Sequence, residues 1–361
     1  MSGPVVVIAC GGTGGHIYPG VATAEALTAR GAECRFVITG RPREREILER
    51  EGLPYATVPV GGLRNLPLAR QGRHALGLPL AGWRAWRLLG RWRPRAVVGT
   101  GAYPCGPVVL AAYLRGIPTL LLEQNRWPGL TVALLAPLVD AVGVAFAESA
   151  PALRGSVRVT GNPVRRAFYQ RRTRKPDPRL HLLVFGGSAG ARPINRAVTT
   201  ALPFLDPVRE RLAVVHQTGE ADLAAVRADY AAAGWEAEVI PYLWDLPRRM
   251  HWAHLVCCRA GATTVAELLA ARRAAVLVPF PLATDAHQTA NARLLADRGA
   301  AVLLPQAELT GPRLAEVIRG FVEEPARAAT LESRLAADQP ARPAAAVSDL
   351  VWEIIEAHAQ N

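Results

Sequence analysis

The chain has 361 residues, of which 50% are hydrophobic and 20% charged, a composition typical of a globular protein of about two domains. No stretch approaches the roughly 18 uninterrupted apolar residues of a transmembrane helix, and the amino terminus lacks a signal-peptide pattern, so we expect neither secretion nor a membrane span. Five cysteines without metal-ligand spacing predict reduced core residues and no zinc site. The net charge of +12 favours anionic partners.

The first apolar run, residues 5–9, is rich in valine and predicts a strand buried on both faces. Glycines occupy four of the five positions 11–15, His16 follows, and Pro19 predicts the start of a helix. Backbone N–H groups without neighbouring Cβ atoms can approach an anion, so the loop favours phosphate binding, with His16 as a candidate base. The alternative is a tight turn with a solvated histidine. The spacing matches neither the dinucleotide fingerprint nor the P-loop, which disfavours hydride transfer and NTP hydrolysis.

Apolar strands then alternate with helical segments, which predicts an α/β fold with parallel sheets covered on both faces. The pattern breaks around residues 165–180, which are basic and proline-containing and therefore predict a linker. It then resumes, so we expect two doubly wound domains in tandem, followed by a carboxyl-terminal helix. We expect domains at 1–163 and 164–340 and a final helix in 341–361 that packs back on the first domain. The predicted strands lie near 4–9, 34–39, 55–60, 96–100, 119–123, 141–146, 182–185, 211–216, 236–240, 254–259, 274–279 and 300–304.

Residues 61–95 depart from this pattern because they hold eight arginines, three tryptophans and no acidic residue. Trp83, Trp86 and Leu88 or Leu89 fall at helical spacing, beside a stripe of arginines. A basic amphipathic helix with aromatic residues is typical of a contact with an anionic membrane surface. The alternative is a helix that packs its tryptophans on the sheet. No accompanying motif indicates nucleic-acid binding.

Three further loops repeat the pattern of strand, small residues and helix: 99–107 in the first half, and 186–190 and 259–267 in the second. Two such loops in one domain suggest a diphosphate ligand. Ser188 can add a hydroxyl donor to a phosphate, and Glu267 can accept hydrogen bonds from ribose hydroxyls or can be an ordinary first-turn acid. No D-x-D pair occurs, so we expect no metal requirement: backbone N–H groups and arginine would stabilise a leaving diphosphate.

Seven motifs follow one another along the chain, at residues 11–16, 123–125, 161–165, 186–191, 216–219, 259–267 and 287–292. Their residues and their order resemble those of the MurG glycosyltransferases. The resemblance runs from about residue 4 to about 310 and implies a two-domain GT-B fold with a cleft between the domains. The family often has other residues where Ala102, Cys105 and Ala189 stand, which puts polar contacts near the acceptor in question.

The resemblance implies transfer of N-acetylglucosamine from UDP-N-acetylglucosamine to the muramyl 4-hydroxyl of the undecaprenyl-linked acceptor lipid I, with His16 at the position of the base. We expect the transfer to be inverting, and Glu123 is the alternative base. The acceptor diphosphate is expected at Gly12, Gly101, Ala102 and Tyr103. Family positions for the donor correspond to Thr13, Gly14, Gly15, Asn125, Arg165, Ser188, Leu243, Ala262, Thr263, Thr264, Val265, Ala266, Glu267, Gln288 and Asn291.

Within this set, Leu243 would meet uracil through its backbone, and Gln288 and Asn291 would contact sugar hydroxyls. We expect a peripheral protein on the cytoplasmic face of the cell membrane, bound through residues 61–95, with other cell-wall enzymes as candidate partners. Two alternatives remain: another GT-B UDP-sugar transferase with a different lipid or small acceptor, and a non-catalytic UDP-sugar-binding subunit.

Overall fold

A computed structural model of the chain describes residues 3–60, 68–101, 103–170, 177–283, 286–337 and 342–360. The chain forms two compact units, residues 1–165 with 340–361, and residues 166–339. Part of the predicted linker, 171–176, lies outside the described residues. Each unit contains one parallel sheet whose strands are connected mainly through helices, which confirms the prediction of two doubly wound α/β domains.

The first unit holds a seven-stranded parallel sheet in the order β3-β2-β1-β4-β5-β6-β7. Strand order reverses between β1 and β4, and open α/β sheets bind ligands outside the carboxyl ends of strands at such a switch point. The short edge strand β7 was not predicted. The strands are β1 Val5–Ala9, β2 Glu33–Ile38, β3 Tyr55–Thr57, β4 Ala96–Gly99, β5 Thr119–Glu123, β6 Ala141–Val144 and β7 Val157–Val159.

Five helices connect these strands, and a sixth returns from the end of the chain. The prediction that the first helix starts at Pro19 was wrong. It starts at Gly14, because Gly14 and Gly15 adopt helical conformation, and Pro19 lies in its second turn. His16 therefore belongs to the first helical turn. The helices are α1 Gly14–Thr28, α2 Pro42–Arg50, α3 Leu68–Trp92, α4 Gly106–Leu114, α5 Leu130–Leu135 and, at the carboxyl terminus, α13 Pro343–Gln360.

Helix α13 packs against α1 within this unit. Arg30, just after α1, donates to Asp349 at 2.7 Å, and its guanidinium lies 5.4 Å from the centre of the Trp352 ring. Buried apolar residues such as Val347 and Val351 line the inner face of α13. The carboxyl-terminal helix thus supports the helix that carries His16.

The second unit holds a six-stranded parallel sheet in the order β10-β9-β8-β11-β12-β13, with its switch point between β8 and β11. Its core packs valine and leucine side chains of the sheet against helices that precede and follow them. The strands are β8 Leu180–Phe185, β9 Leu212–Gln217, β10 Ala237–Ile240, β11 Leu255–Cys258, β12 Ala274–Leu277 and β13 Val302–Leu303. The helices are α6 Arg192–Leu205, α7 Leu223–Ala232, α8 Leu246–Trp252, α9 Ala262–Ala271, α10 His287–Ala296, α11 Gly311–Glu323 and α12 Ala326–Ala337.

Candidate active site

The first glycine loop joins β1 to α1 at the switch point of the first sheet. Gly12 has φ +89°, a conformation that favours glycine. At Gly11, a Cβ atom would lie 3.1 Å from Glu44 Oε1 and 3.3 Å from Pro104, so only glycine fits without displacement. Backbone geometry therefore accounts for the glycine at position 12, and close packing accounts for the glycine at position 11.

A buried carboxylate from α2 already accepts a hydrogen bond from this loop. Glu44, which is 2% exposed, accepts a 2.7 Å hydrogen bond from the Gly12 N–H through Oε1. The same carboxylate accepts hydrogen bonds from the Thr39 hydroxyl and from the N–H groups of Gly40 and Arg41. The Gly12 amide, predicted to bind the acceptor diphosphate, is therefore engaged within the protein. Glu44 is not among the residues predicted from the sequence to form the site.

His16 is half-buried, and its ring is held by two oxygen acceptors. Nδ1 lies 2.9 Å from the carbonyl oxygen of Thr100, after β4, and 3.1 Å from Oε1 of Gln124, after β5. A carbonyl oxygen can only accept, so Nδ1 carries the proton and Nε2 of the neutral ring keeps its lone pair. Burial lowers the pKa of His16, although both hydrogen bonds oppose this effect. The neutral ring required of a base is thus favoured near pH 7.

Glu123, the alternative base, is committed to its own loop. The carboxylate is 3% exposed, and Oε1 accepts hydrogen bonds from the Asn125 backbone at 2.8 Å and side-chain amide at 3.1 Å. Oε2 accepts from the Gly129 N–H at 2.7 Å. Burial raises the pKa of Glu123, and these hydrogen bonds counteract it. Three donors around one buried carboxylate indicate an anchor for residues 124–129.

Other residues predicted to bind the donor from this unit are distributed around the same loops. Thr13 is exposed, and its carbonyl oxygen accepts hydrogen bonds from the first turn of α1. Gly14 is buried and Gly15 half-buried. Arg165 is 6% exposed, with its guanidinium 4.1 Å from the centre of the Tyr18 ring and 3.4 Å from Glu51. These contacts hold the Arg165 side chain against α1 and the carboxyl end of α2.

The second loop of this unit carries the remaining acceptor candidates. Gly101 has φ +85°, and a Cβ atom there would lie 2.5 Å from the carbonyl oxygen of Leu122, so glycine is required. Ala102 lies outside the described residues. Tyr103 is half-buried, and its hydroxyl oxygen accepts a 2.9 Å hydrogen bond from Arg41.

The glycine loop of the second unit, 186–190, joins β8 to α6 and presents an exposed Ser188. Gly190 has φ +77°, and a Cβ atom there would lie 1.9 Å from the carbonyl oxygen of Thr218. Gln217 fixes the loop's base, because it accepts from the Gly186 N–H at 3.2 Å and donates to the Pro241 carbonyl at 3.0 Å. Within the described parts of this unit, no carboxylate accepts from this loop's N–H groups.

Helix α9 begins at the neighbouring strand end, after β11, and contains the six predicted donor residues from Ala262 to Glu267. Thr264 and Ala266 are half-buried, whereas Ala262, Thr263, Val265 and Glu267 are buried. Glu267 lies one turn inside the helix and is 4% exposed. Leu243, after β10, is 7% exposed. Their contacts with a nucleotide remain predictions.

The two residues predicted to contact the sugar both interact with nearby backbone. Gln288 Oε1 accepts a 2.9 Å hydrogen bond from the Phe280 N–H. Asn291 is fully buried and donates to the Ala260 carbonyl at 3.2 Å, so it links α10 to the turn that precedes α9. Arg259, which sequence analysis did not assign, donates to the Val278 and Pro279 carbonyls and thereby fixes the segment before Phe280.

The segment proposed to contact a membrane is described in part, and the side chains of residues 61–76 lie outside the description. Ala81, Ala85 and Leu89 face the core, whereas Trp83 and Trp86 are 53% and 39% exposed. Of the two leucines predicted to share the stripe, Leu89 is therefore buried and Leu88 is half-buried. Trp92, the third tryptophan of the segment, packs against the core of this unit, as the alternative expects.

Two neighbouring helices extend this exposed apolar surface. Their contribution was not predicted from the sequence. Helix α4 packs against both α3 and α5. It exposes Leu114, and α5 exposes Leu130 and Leu134, each by more than 60%. No described helix combines the length and apolar character needed to span a membrane.

Similarity to known families defines the class of protein to which the chain belongs. Residues 6–144 match the glycosyltransferase family 28 N-terminal domain, and residues 181–346 match the glycosyltransferase family 28 C-terminal domain. With two parallel-sheet units and small-residue loops at both switch points, the chain is a glycosyltransferase with the GT-B fold.

The particular family follows from full-length relatives. A Myxococcus xanthus protein named UDP-N-acetylglucosamine--N-acetylmuramyl-(pentapeptide) pyrophosphoryl-undecaprenol N-acetylglucosamine transferase is 43% identical over 91% of this chain and 87% of its own length. An Anaeromyxobacter protein (strain Fw109-5) with the same name is 43% identical over 97% of this chain and 93% of its own length. The crystal structure of Acinetobacter baumannii MurG matches with a TM-score of 0.74 and 30% identity over 97% of this chain and 99% of that one. The chain belongs to the MurG family, which confirms the resemblance.

Proposed function

We propose that this chain transfers N-acetylglucosamine from UDP-N-acetylglucosamine to the muramyl 4-hydroxyl of lipid I, with inversion, to give lipid II for peptidoglycan synthesis. The names of the full-length relatives support the donor and the acceptor. The orientation of His16 carries the chemical part of the proposal, because its ring offers one unprotonated nitrogen beside the glycine loop.

In the proposed reaction, the 4-hydroxyl oxygen bonds to the anomeric carbon as the bond from that carbon to the UDP oxygen breaks. The electron pair of the broken bond leaves on the UDP oxygen, and Nε2 of His16 takes the hydroxyl proton. The carbonyl of Thr100 and the amide of Gln124 keep Nδ1 protonated and so stabilise the imidazolium that forms. Glu123 holds the loop that carries Gln124 in position.

We assign the donor to the second unit. The exposed Ser188 and the N–H groups of its loop are suited to the diphosphate, and the amino terminus of α9 adds partial positive charge. Glu267 would accept from ribose hydroxyls and the Leu243 backbone would meet uracil. Because backbone N–H groups can stabilise a leaving diphosphate, we expect activity to survive chelation with EDTA. A loss that Mg²⁺ restores would contradict this expectation.

We also propose that the chain binds the cytoplasmic membrane surface through α3, α4 and α5. Exposed tryptophan and leucine beside arginine support this assignment, since such surfaces insert at the interface of anionic bilayers. Replacement of Arg84, Arg87 and Arg91 by glutamine should weaken binding to anionic vesicles at low salt, at about 1 kcal/mol per arginine. Unchanged cosedimentation would remove the electrostatic part of the proposal.

The decisive experiment supplies purified chain with lipid I and a panel of UDP-sugars, and measures UDP release together with the mass of the lipid product. We expect transfer of N-acetylglucosamine alone. His16→Ala should slow turnover by about 10²–10⁴-fold while the affinity for UDP is kept. Transfer to another acceptor only would favour the broader class of GT-B transferases, and UDP-sugar binding without turnover would favour a non-catalytic subunit.

A further inference from the structure

Arg41 lies beside both loops of the first unit that were predicted to hold the acceptor diphosphate. It precedes α2 and is exposed. Its guanidinium donates to the Gly12 carbonyl at 3.1 Å and to the Tyr103 hydroxyl oxygen at 2.9 Å. One side chain thus joins the first glycine loop to the loop after β4, on the side of the sheet that also carries His16.

The charge of Arg41 has no carboxylate partner in the described part of the chain, because its side chain contacts only a carbonyl and a hydroxyl. By contrast, Arg43 and Arg50 of α2 both pair with Glu46, at 2.9 and 3.4 Å. A fork of donors without an ion-pair partner is suited to bind a phosphate oxygen.

The neighbouring Gly12 amide cannot fill this role while Glu44 accepts its hydrogen bond. A buried carboxylate in the loop also repels an approaching anion, so the favourable charge must come from outside the loop. Tyr103 adds a second donor: because its oxygen accepts from Arg41, its own hydrogen can point to a ligand oxygen.

We propose that Arg41, with the Tyr103 hydroxyl, binds a phosphate oxygen of the diphosphate in the lipid-linked acceptor. This inference rests on the proposed function and adds a binding residue that neither the motifs nor the family resemblance had assigned. The contact fixes the acceptor's diphosphate near the loop that precedes His16. It contributes chiefly to acceptor binding, since the guanidinium does not take part in proton transfer.

The test compares Arg41→Gln, Arg41→Lys and Tyr103→Phe with Arg50→Gln, which removes the same charge from the other end of α2. Arg41→Gln should raise the KM for lipid I by about ten- to a hundredfold, the range for a hydrogen bond to a charged group, with an unchanged KM for UDP-N-acetylglucosamine. Arg41→Lys should recover part of the loss because it keeps charge without the planar fork. Arg50→Gln should resemble the unaltered protein. An unchanged acceptor KM in Arg41→Gln, or an equal rise in the donor KM, would overturn the inference.

Equilibrium binding decides the inference independently of turnover. A short-chain prenyl diphosphate and its monophosphate counterpart are titrated into the unaltered chain and Arg41→Gln without donor. We expect Arg41→Gln to lose affinity for the diphosphate and to lose less for the monophosphate, and equal affinities of the two proteins would refute the contact. Failure of lipid I transfer by the unaltered chain would instead refute the proposed function.

Phospholipid headgroups offer similar phosphate chemistry, so vesicles with and without anionic phospholipid form the last arm. Binding of Arg41→Gln to anionic vesicles that contain no acceptor should equal that of the unaltered chain. A drop in vesicle binding as large as the drop in acceptor affinity would identify Arg41 as a membrane contact and overturn the assignment.

Discussion

Gln124→Glu is the sharpest test of His16 as the base. The amide oxygen of Gln124 lies 3.1 Å from Nδ1, and Thr100 supplies the second acceptor at 2.9 Å. Burial lowers the pKa of His16, and these hydrogen bonds oppose the effect. A carboxylate in place of the amide would favour the imidazolium, so it should raise the pKa of His16 and remove the neutral base at a higher pH.

The expected size of this change follows from the short distance. Two unit charges 3.1 Å apart attract by roughly 5 kcal/mol at an effective dielectric constant of about 20. Gln124 is 2% exposed, so desolvation of the new carboxylate offsets much of this attraction. A charged neighbour at such a distance typically changes a pKa by about 1–3 units. We therefore expect the acidic limb of the pH–rate profile to move to higher pH by that amount.

The assay measures kcat between about pH 5 and 9 at saturating lipid I and UDP-N-acetylglucosamine. Protonated His16 cannot accept the hydroxyl proton, so activity falls as pH drops through its pKa, and Gln124→Glu should move that fall upward. Gln124→Leu serves as the uncharged control, because it removes the acceptor while the Thr100 carbonyl remains. An acidic limb at the same pH in both variants would refute the role of His16 as the titrating base.

Three further predictions test the supporting residues. Glu123→Gln should lower the free energy of unfolding in urea by about 1–3 kcal/mol, because one carboxylate acceptor becomes a donor, yet leave the acidic limb in place. A change in the pH of the acidic limb in Glu123→Gln would instead support Glu123 as the base. Glu267→Ala should weaken UDP binding about ten- to a hundredfold by calorimetry, and unchanged affinity would remove its ribose contact. Joint replacement of Trp83 and Leu134 by serine should reduce vesicle binding about tenfold or more in a salt-independent manner, whereas unchanged binding would exclude these helices from the membrane contact.

The sequence predicted most of the fold because buried parallel strands form uninterrupted apolar runs between loops. Residues 5–9 and 182–185 illustrate this, and both lie in central strands. Strand β7, residues 157–159, was missed because it has three residues, contains Arg158 and lies at the sheet edge, where its side chains are half-buried or exposed. The start of α1 was misplaced because the preference of proline for the first turn was given more weight than the ability of glycine to adopt helical conformation.

The site was predictable where its chemistry resides in a side chain within a motif, as for His16. Its orientation was not, since the Thr100 carbonyl that fixes the tautomer belongs to the backbone and leaves no signal in residue type. Arg41 and Glu44 were also missed. They lie in a charged segment that resembles an ordinary solvated helix, and only the fold brings that segment against the glycine loop.

The two glycine loops, one in each unit, resemble each other in sequence but differ in the charge around their N–H groups. In the first unit, Gly12 is needed for a positive φ angle, and its N–H donates to the buried Glu44. In the second unit, Gly190 is needed because the Thr218 carbonyl lies too close for a side chain, and the exposed Ser188 remains available to a ligand. Both loops need glycine for steric reasons, yet their charges differ because a carboxylate from α2 lies against the first loop only. A glycine-rich loop therefore predicts a backbone conformation, and whether that conformation binds phosphate depends on which side chain the rest of the fold places against it.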